Sequence, residues 1–390
     1  MQKIARLFAI IVFSLTQLSC MGQDVTVGAA RHSLYLPELE GKRIALFSNQ
    51  TGIVDGRHTL DILLEKGLDV RYILSPEHGF RGTADAGEGV GSSVDEKTGT
   101  PIISLYGGPS QKPSSDIMED IDVIVCDIQD VGLRFYTYYV SMIRLMEACT
   151  EYGKEFMVMD RPNPLGMYVD GPVLDMKYRS GIGRLPIPVV HGMTMGEIAL
   201  MAEGEGWLEG GRKLIKLTVI PCKGYTHQTR YRLPVAPSPN LKEMKAVYLY
   251  PSTCLFEGTI MSLGRGTEKP FIIYGHPDMP GRTFSFTPRS ILGAKNPPHL
   301  DQLCYGESLE WMSDEDIIAR GLDLSYIIDA YNAMNVGDSF FRSNFEKLIG
   351  RGDIRRMIEE GRCAEEIKAT WTSDVETFKS TRSRYLLYEE

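Results

Sequence analysis

The sequence predicts an α/β protein whose first half is a parallel sheet covered by helices. Two observations support this fold class. Short runs that are apolar on both faces recur between residues 43 and 160, and helical segments separate several of them. Strands buried on both faces read as continuous apolar runs, and their alternation with helices is typical of parallel sheets. The predicted strands are 43–48, 70–75, 101–106, 123–128 and 156–160.

Helical periodicity supports the segments between and after these strands. Residues 59–66 and 137–152 are predicted helices, and in the second, apolar side chains recur at i, i+3, i+4 and i+7 from Tyr139. Thr194 followed by Glu197 matches a capping box, which predicts a helix start. A further strand is predicted over 213–220, and the C-terminal helices are predicted over 314–320, 323–334, 339–348, 353–360 and 363–369.

Length and charge limit the class of protein. The chain has 390 residues, which suggests two domains at about 100–200 residues per domain. We expect the first α/β domain over residues 25–200 and a smaller α/β domain over residues 201–390. Acidic residues number 51 against 42 basic ones, and a formal net charge of −9 disfavours nucleic acid as a partner. The oligomeric state is left open.

Residues 1–20 have the layout of a secretory signal peptide. A short basic region precedes an apolar core over 7–15, and Ser19 and Cys20 form a small-residue exit. A Cys at this place resembles a bacterial lipoprotein processing site, so membrane anchoring through a lipidated Cys20 and simple cleavage nearby both stay open. Either interpretation predicts an exported protein, in the periplasm or anchored to the outer membrane.

Polar, glycine-rich loops follow nearly every predicted strand. In open α/β sheets ligands bind beyond the carboxyl ends of the strands, so we expect these loops to converge on one edge as a functional site. The candidate residues from these loops are Asn49, Glu77, His78, Arg81, Asp127, Arg134, Tyr136, Asp160 and Arg161.

Glu77 is the candidate proton donor of this edge. It follows a predicted strand and a proline, and a carboxylic acid shielded in a cleft can have its pKa raised and serve as a general acid. The structural alternative is an ion pair between Glu77 and Arg81, with His78 as a satisfied polar residue. Asp127 stands at the end of another predicted strand, which favours a functional role.

The second half adds charged candidates in glycine-rich surroundings. Glu257 and Arg265 lie in such a segment, and the glycines beside Arg265 permit close approach of a ligand to the backbone. Arginine suits bidentate recognition of a carboxylate, although a simple glycine-rich hairpin is the structural alternative. His191 and Asn240, the latter in the motif PSPN, complete the candidate binding residues.

Several cofactor motifs are missing from the sequence. There is no P-loop and no nucleophile elbow, and the segment GEGVG does not fit the dinucleotide-binding fingerprint. We therefore predict no cofactor. A metal site built from His78, Asp85, Asp127 and His191 stays as an alternative.

The ordered series of loops resembles the exo-acting β-N-acetylmuramidases of glycoside hydrolase family 171. The resemblance covers about residues 40–390, and the motifs that carry it read SNQTGI, SPEHGFRGTADAG, DIQDVGLRFYTY, DRPNPLG, GPVLD, HGMTMGE, PSPN and YPSTCLFEGTIMSLGRGTEKPF. The resemblance implies a Rossmann-like N-terminal domain, a smaller C-terminal α/β domain and a cleft between them. It also implies release of N-acetylmuramic acid from the non-reducing ends of peptidoglycan fragments.

This activity assigns roles to the candidates. Glycoside hydrolysis needs a proton donor and stabilisation of an oxocarbenium-like centre. Glu77 is the expected acid, and the second group is Asp127, Glu257 or the acetamido oxygen of the substrate. The lactyl group of muramic acid carries a carboxylate, for which Arg134, Arg161 and Arg265 are the candidate partners.

Two other functions stay open at this point. One is a non-catalytic lipoprotein that binds muropeptides. The other is a metal-dependent hydrolase that uses His78, Asp85 and Asp127.

Overall fold

The fold was analysed in a computed structural model, which describes residues 25–76, 80, 93–105 and 111–390. The strands are β1 (Arg43–Ser48), β2 (Ile53–Val54), β3 (Arg57–His58), β4 (Asp69–Ser75), β5 (Ser93–Val94), β6 (Pro101–Ser104), β7 (Val123–Asp127), β8 (Glu155–Met159), β9 (Leu217–Ile220), β10 (Ile273–His276), β11 (Phe284–Phe286) and β12 (Cys304–Ser308). The α-helices are α1 (His32–Leu39), α2 (Thr59–Glu65), α3 (Ser115–Glu119), α4 (Tyr138–Tyr152), α5 (Met195–Gly204), α6 (Met244–Thr253), α7 (Asp314–Arg320), α8 (Ser325–Met334), α9 (Phe345–Ile349), α10 (Asp353–Glu359), α11 (Ala364–Ala369) and α12 (Thr372–Arg382).

A seven-stranded sheet forms the centre of the N-terminal half. Its order is β5-β6-β4-β1-β7-β8-β9, and all neighbours are parallel except β5 and β6 at one edge. Counted along the chain without β5, the parallel strands have the order 3-2-1-4-5-6 of a Rossmann sheet. The predicted α/β fold with a parallel N-terminal sheet is therefore confirmed.

The central strands are buried on both faces because their apolar side chains alternate between two cores. Ala45 and Phe47 of β1 join the larger core, whereas Ile44 and Leu46 point to the smaller one. The larger core continues into the C-terminal half as far as Trp371 and Phe378. One face of the sheet and the C-terminal half therefore share a single apolar interior.

The sheet extends beyond the predicted domain boundary between residues 200 and 201. β9 pairs in parallel with β8, so the stretch up to residue 220 is part of the first sheet. Only the second half of the predicted strand 213–220 is extended, because the first half forms a loop in which the Leu214 amide donates to Glu203 Oε1 at 3.0 Å. The chain also returns to this sheet near residue 388, where the Tyr388 hydroxyl donates to Asp160 Oδ2 at 2.6 Å.

The C-terminal half is a mixed α/β arrangement. Its antiparallel sheet has the order β10-β12-β11, and helices α6 to α12 belong to the same half of the chain. The predicted helix 339–348 is wrong in its first part, because Phe341 forms an isolated bridge with Thr259 and α9 begins only at Phe345. Helix α12 is absent from the sequence prediction.

Across the described ranges, no helix combines the length and the apolar composition needed to cross a bilayer. The predicted signal peptide, residues 1–20, lies outside the described residues.

Candidate active site

The switch point of the sheet, where the strand order reverses, lies between β1 and β7. Ligands of doubly wound folds bind in the crevice at this point. Here the hydroxyl of Thr51 joins the two loops, donating to Asn49 Oδ1 at 2.6 Å and accepting from the Gln129 amide at 3.0 Å. One hydrogen bond therefore links the two loops at the switch point, and Asn49 is buried beside it.

Asp127 and Arg161 form a buried ion pair beside these loops. Arg161 Nε donates to Asp127 Oδ1 at 2.6 Å, and its Nη2 donates to Oδ2 at 3.0 Å. The Thr59 hydroxyl donates to the same Oδ2 at 2.5 Å, and the two charged side chains are almost inaccessible to solvent. Arg161 and Thr59 therefore occupy both oxygens of Asp127. The catalytic role of Asp127 and the substrate contact of Arg161 stay predictions.

Arg134 is likewise turned into the protein. Its guanidinium donates to the carbonyls of Pro172 at 2.6 Å, Ile187 at 3.0 Å and Leu348 at 2.9 Å. Burial lowers the pKa of Arg134 to about 10. The side chain bonds the N-terminal half to the C-terminal half, and its contact with substrate stays a prediction.

Asp160 and His191 are also buried behind the edge of the sheet. Asp160 Oδ1 accepts from the Gly196 amide at the start of α5, at 2.9 Å, and burial raises the pKa of Asp160 to about 6. His191 Nδ1 accepts from the Met193 amide at 3.2 Å, and burial, reinforced by two neighbouring arginines, lowers the pKa of His191 to about 3. Both side chains accept from backbone amides, and their contact with substrate stays a prediction.

A cavity of about 110 Å³ lies where the loop after β7 meets the C-terminal half. We call it the aromatic cavity, because its lining includes Phe135, Tyr136, Tyr138, Tyr250 and Phe271. The hydroxyls of Tyr136 and Tyr138 both donate to the Pro237 carbonyl at 2.9 Å, which fixes their rings. Apolar walls with a few placed polar groups are typical of small-molecule sites.

Glu257 and Arg265 line this aromatic cavity and a neighbouring larger cavity of about 520 Å³. Arg265 donates from Nη2 and Nε to Glu257 Oε1, at 2.6 and 3.1 Å, and its guanidinium lies over the Phe271 ring. No described residue donates to Glu257 Oε2. This carboxylate is therefore held in place while one oxygen can interact with a ligand.

The structure brings only part of the predicted set together. Tyr136, Glu257 and Arg265 meet at the aromatic cavity, and Asn240 supports the larger cavity by donating to the Gly293 carbonyl at 2.8 Å. The remaining candidates, Glu77, His78 and Arg81, lie outside the described residues, as does Asp85 of the metal alternative.

Sequence reasoning missed Tyr250 and Phe271. Their rings contact edge to face, with centroids 4.5 Å apart, and they form one wall of the aromatic cavity. Both residues lie in a motif that the sequence analysis quotes, but their side chains meet the loop after β7 only through tertiary packing. Within the part of the chain that the structure describes, no cluster of three or more His, Cys, Asp or Glu side chains could hold a metal ion.

These features define a two-part α/β protein with a carboxylate-bearing aromatic cavity between its halves. Comparison with known proteins gives the family. The model for the N-terminal part of exo-beta-N-acetylmuramidase NamZ matches residues 44–245, and the model for its C-terminal part matches residues 248–388. The chain belongs to the NamZ family of glycoside hydrolases, and the resemblance drawn from the loop motifs is confirmed.

Individual relatives agree with this assignment. The chain is 39% identical over 383 residues to the peptidoglycan beta-N-acetylmuramidase NamZ of Bacillus subtilis, covering 91% of this chain and 89% of the relative. A crystal structure of a DUF1343 family protein from Bacteroides fragilis is 58% identical, with a TM-score of 0.89 over 94% of this chain and 99% of that chain. A second such structure from the same species is 28% identical, with a TM-score of 0.80 over 94% and 100% of the two chains.

Proposed function

We propose that this protein is an exo-acting β-N-acetylmuramidase that releases N-acetylmuramic acid from the non-reducing ends of peptidoglycan fragments. Its similarity to the Bacillus subtilis enzyme along both halves carries the proposal. The aromatic cavity needs both halves, because Tyr136 comes from the first and Arg265 from the second. A catalytic relative favours hydrolysis over the non-catalytic muropeptide-binding alternative.

Glu77 is the proposed general acid. It follows by two residues the end of β4, which lies next to β1 at the centre of the sheet. The amide of Leu105, after the neighbouring strand β6, donates to the Ser75 carbonyl at 2.9 Å, so two strands end together just before Glu77 in the chain. An acid at this edge would protonate the leaving oxygen of the glycosidic bond.

Glu257 is the proposed carboxylate for the oxocarbenium-like centre, because it lines the aromatic cavity and Asp127 does not. Its Oε1 is held by Arg265, and its Oε2 accepts no bond from a described residue. The acetamido oxygen of the substrate is the alternative, in which case Glu257 orients the sugar.

Turnover of a chromogenic β-N-acetylmuramide tests the function. We expect release from the muramide and not from the matched glucosaminide, with no effect of EDTA. Glu77→Gln should lower the rate by about 10²–10⁴-fold, because the proton donor is lost. Glu96→Gln, which changes an exposed acid, is the matched control and should leave the rate unchanged.

The opposite outcomes point to the other functions. Binding of the sugar without turnover would identify a binding protein, and loss of activity in EDTA would identify a metal-dependent hydrolase. Full activity of Glu77→Gln would remove Glu77 from the acid role.

Export to the periplasm or to a membrane surface is part of the proposal, because peptidoglycan lies outside the inner membrane. The basic and apolar layout of residues 1–20 supports it. The mass of the mature amino-terminal peptide separates a lipidated Cys20 from simple cleavage, and an uncleaved chain in the cytoplasm would contradict export.

A further inference from the structure

The three arginines expected to receive the lactyl carboxylate are all engaged with other groups. Arg134 donates to three backbone carbonyls, and Arg161 is bidentate to Asp127. Arg265 directs two of its nitrogens to Glu257. Each of these arginines already has a partner in the protein, so an arginine without such a partner is the better candidate for the carboxylate that distinguishes muramic acid from glucosamine.

A further cavity of about 160 Å³ lies directly beside the aromatic cavity. We call it the Arg144 cavity; its lining includes Leu105, Gln111, Thr137, Ser141, Arg144 and Ile182. Thr137 and Ile182 also line the aromatic cavity, so the two spaces adjoin. The Leu105 amide bonds to Ser75, the last residue of β4. The Arg144 cavity thus lies at the edge of the sheet where β4 and β6 end.

Arg144 is half-buried on α4 and forms no hydrogen bond or ion pair with any described residue. Glu147, about one turn further along the helix, is already bonded to Arg184 at 2.6 Å and lies 3.9 Å from Lys112. Burial, followed by repulsion from Arg184, lowers the pKa of Arg144. The attraction of Glu147 offsets these two effects only in part. A partly desolvated guanidinium without a hydrogen-bond partner among the described residues is unfavourable, and a bound carboxylate would relieve this cost.

We propose that Arg144 receives the lactyl carboxylate of N-acetylmuramic acid while the sugar ring occupies the aromatic cavity. The inference rests on the proposed function and names the group that sets its specificity. Ser141 and Gln111 border the same cavity and place polar side chains near the carboxylate. Arg144 is a specificity residue, because it would contact the lactyl group and not the glycosidic bond.

This assignment also defines the substrate class. When a stem peptide is attached, the lactyl carboxylate is an amide and carries no charge, so it cannot form an ion pair with Arg144. The preferred substrate is then a fragment whose terminal muramic acid carries no peptide.

Equilibrium binding tests the role of Arg144 without requiring turnover. We would titrate the full chain with N-acetylmuramic acid, with its methyl ester and with N-acetylglucosamine, in a calorimeter. The wild type should bind the acid about 10- to 100-fold more tightly than the ester, as expected for a charge-assisted hydrogen bond. Arg144→Gln should bind the acid as weakly as the ester, and Arg144→Lys should retain part of the preference.

Arg212→Gln is the matched control, because Arg212 is exposed and is not among the cavity residues. It should keep the preference of the wild type, and thermal unfolding of each variant checks that the fold is retained. Equal binding of acid and ester by the wild type, including no measurable binding of either, would overturn the proposal. A preference that survives in Arg144→Gln would overturn it as well.

Turnover of the chromogenic muramide, measured in parallel, separates this inference from the proposed function. A wild type that prefers the acid to the ester but hydrolyses nothing would refute the activity and keep the role of Arg144. A wild type that hydrolyses the muramide, with an Arg144→Gln variant of unchanged KM, would refute the role of Arg144 and keep the activity.

Discussion

The two carboxylate–arginine pairs near the edge of the sheet have the same chemistry and opposite surroundings. In the Asp127–Arg161 pair both carboxylate oxygens are bonded, and the side chains are 0% and 2% exposed. In the Glu257–Arg265 pair one oxygen takes both bonds, and the side chains are 33% and 17% exposed. Burial and the free oxygen, more than residue type, therefore distinguish a pair that braces the fold from a pair that can contact a ligand.

The largest expected effect on stability comes from breaking the buried pair. Asp127→Asn leaves the Arg161 charge uncompensated in the interior, which should lower the free energy of unfolding by about 3–5 kcal/mol. Urea unfolding measures this loss. Asp69→Asn removes the exposed pair with Arg71 and should cost less than about 1 kcal/mol. Similar midpoints for the two variants would contradict the bracing role.

A second prediction concerns Asp130, a buried carboxylate on the loop after β7. It has no ion pair with a described residue. Burial raises the pKa of Asp130 to about 7 from an ordinary value of 3.8. The folded state holds the proton more tightly than the unfolded state, so the wild type loses stability as the pH rises from about 4 to about 7. Asp130→Asn lacks this loss.

Urea unfolding of the wild type and Asp130→Asn at pH 4.5 and 7.5 tests this prediction. Relative to the wild type, the free energy of unfolding of the variant should be higher by a few kcal/mol at pH 7.5 than at pH 4.5. The reason is that only the wild type then carries a charged carboxylate without an ion pair. An equal difference in unfolding free energy at the two pH values would show that Asp130 does not titrate in this range.

The smallest effect on stability is expected at the open pair. Glu257→Gln should change the free energy of unfolding by less than about 1 kcal/mol, because the pair is partly solvated. The turnover of the muramide should nevertheless fall by about 10²-fold if Glu257 stabilises the reacting centre. Glu243→Gln, from the exposed pair with Lys269, is the control for both measurements. A Glu257→Gln variant that turns over at the rate of the wild type would favour the acetamido oxygen of the substrate as the second group.

The sheet could be predicted from the sequence because burial on both faces leaves a local signal. The strand 43–48 is predicted at its observed bounds, and the runs at 123–128 and 156–160 are displaced by one residue at most at each end. Strand order leaves no such signal, because it depends on which segments meet in space. The pairing of β9 with β8 lies beyond the expected domain boundary, and the sequence did not predict it.

The sequence predicted the location of the site better than the identity of its residues. A charged side chain at a strand end fits two roles equally well in the sequence, and Arg134 shows why: its acceptor at Leu348 is 214 residues away in the chain. Arg144 left a weak signal, since it stands at position i+7 from Thr137, the residue before α4, with Ser141 at position i+4. A row of this kind indicates a shared face of a helix but does not tell what that face contacts.

The return of the chain to the first sheet has a consequence for the order of events during synthesis. Asp160 ends up bonded to the hydroxyl of Tyr388, and Glu197 Oε1 accepts from the Leu387 amide at 2.8 Å. Ribosomes make proteins from the amino end, so more than 180 residues must emerge after these two carboxylates before their partners exist. Until then Asp160, at the end of β8, and Glu197, on α5, are without the bonds that the last residues of the chain supply.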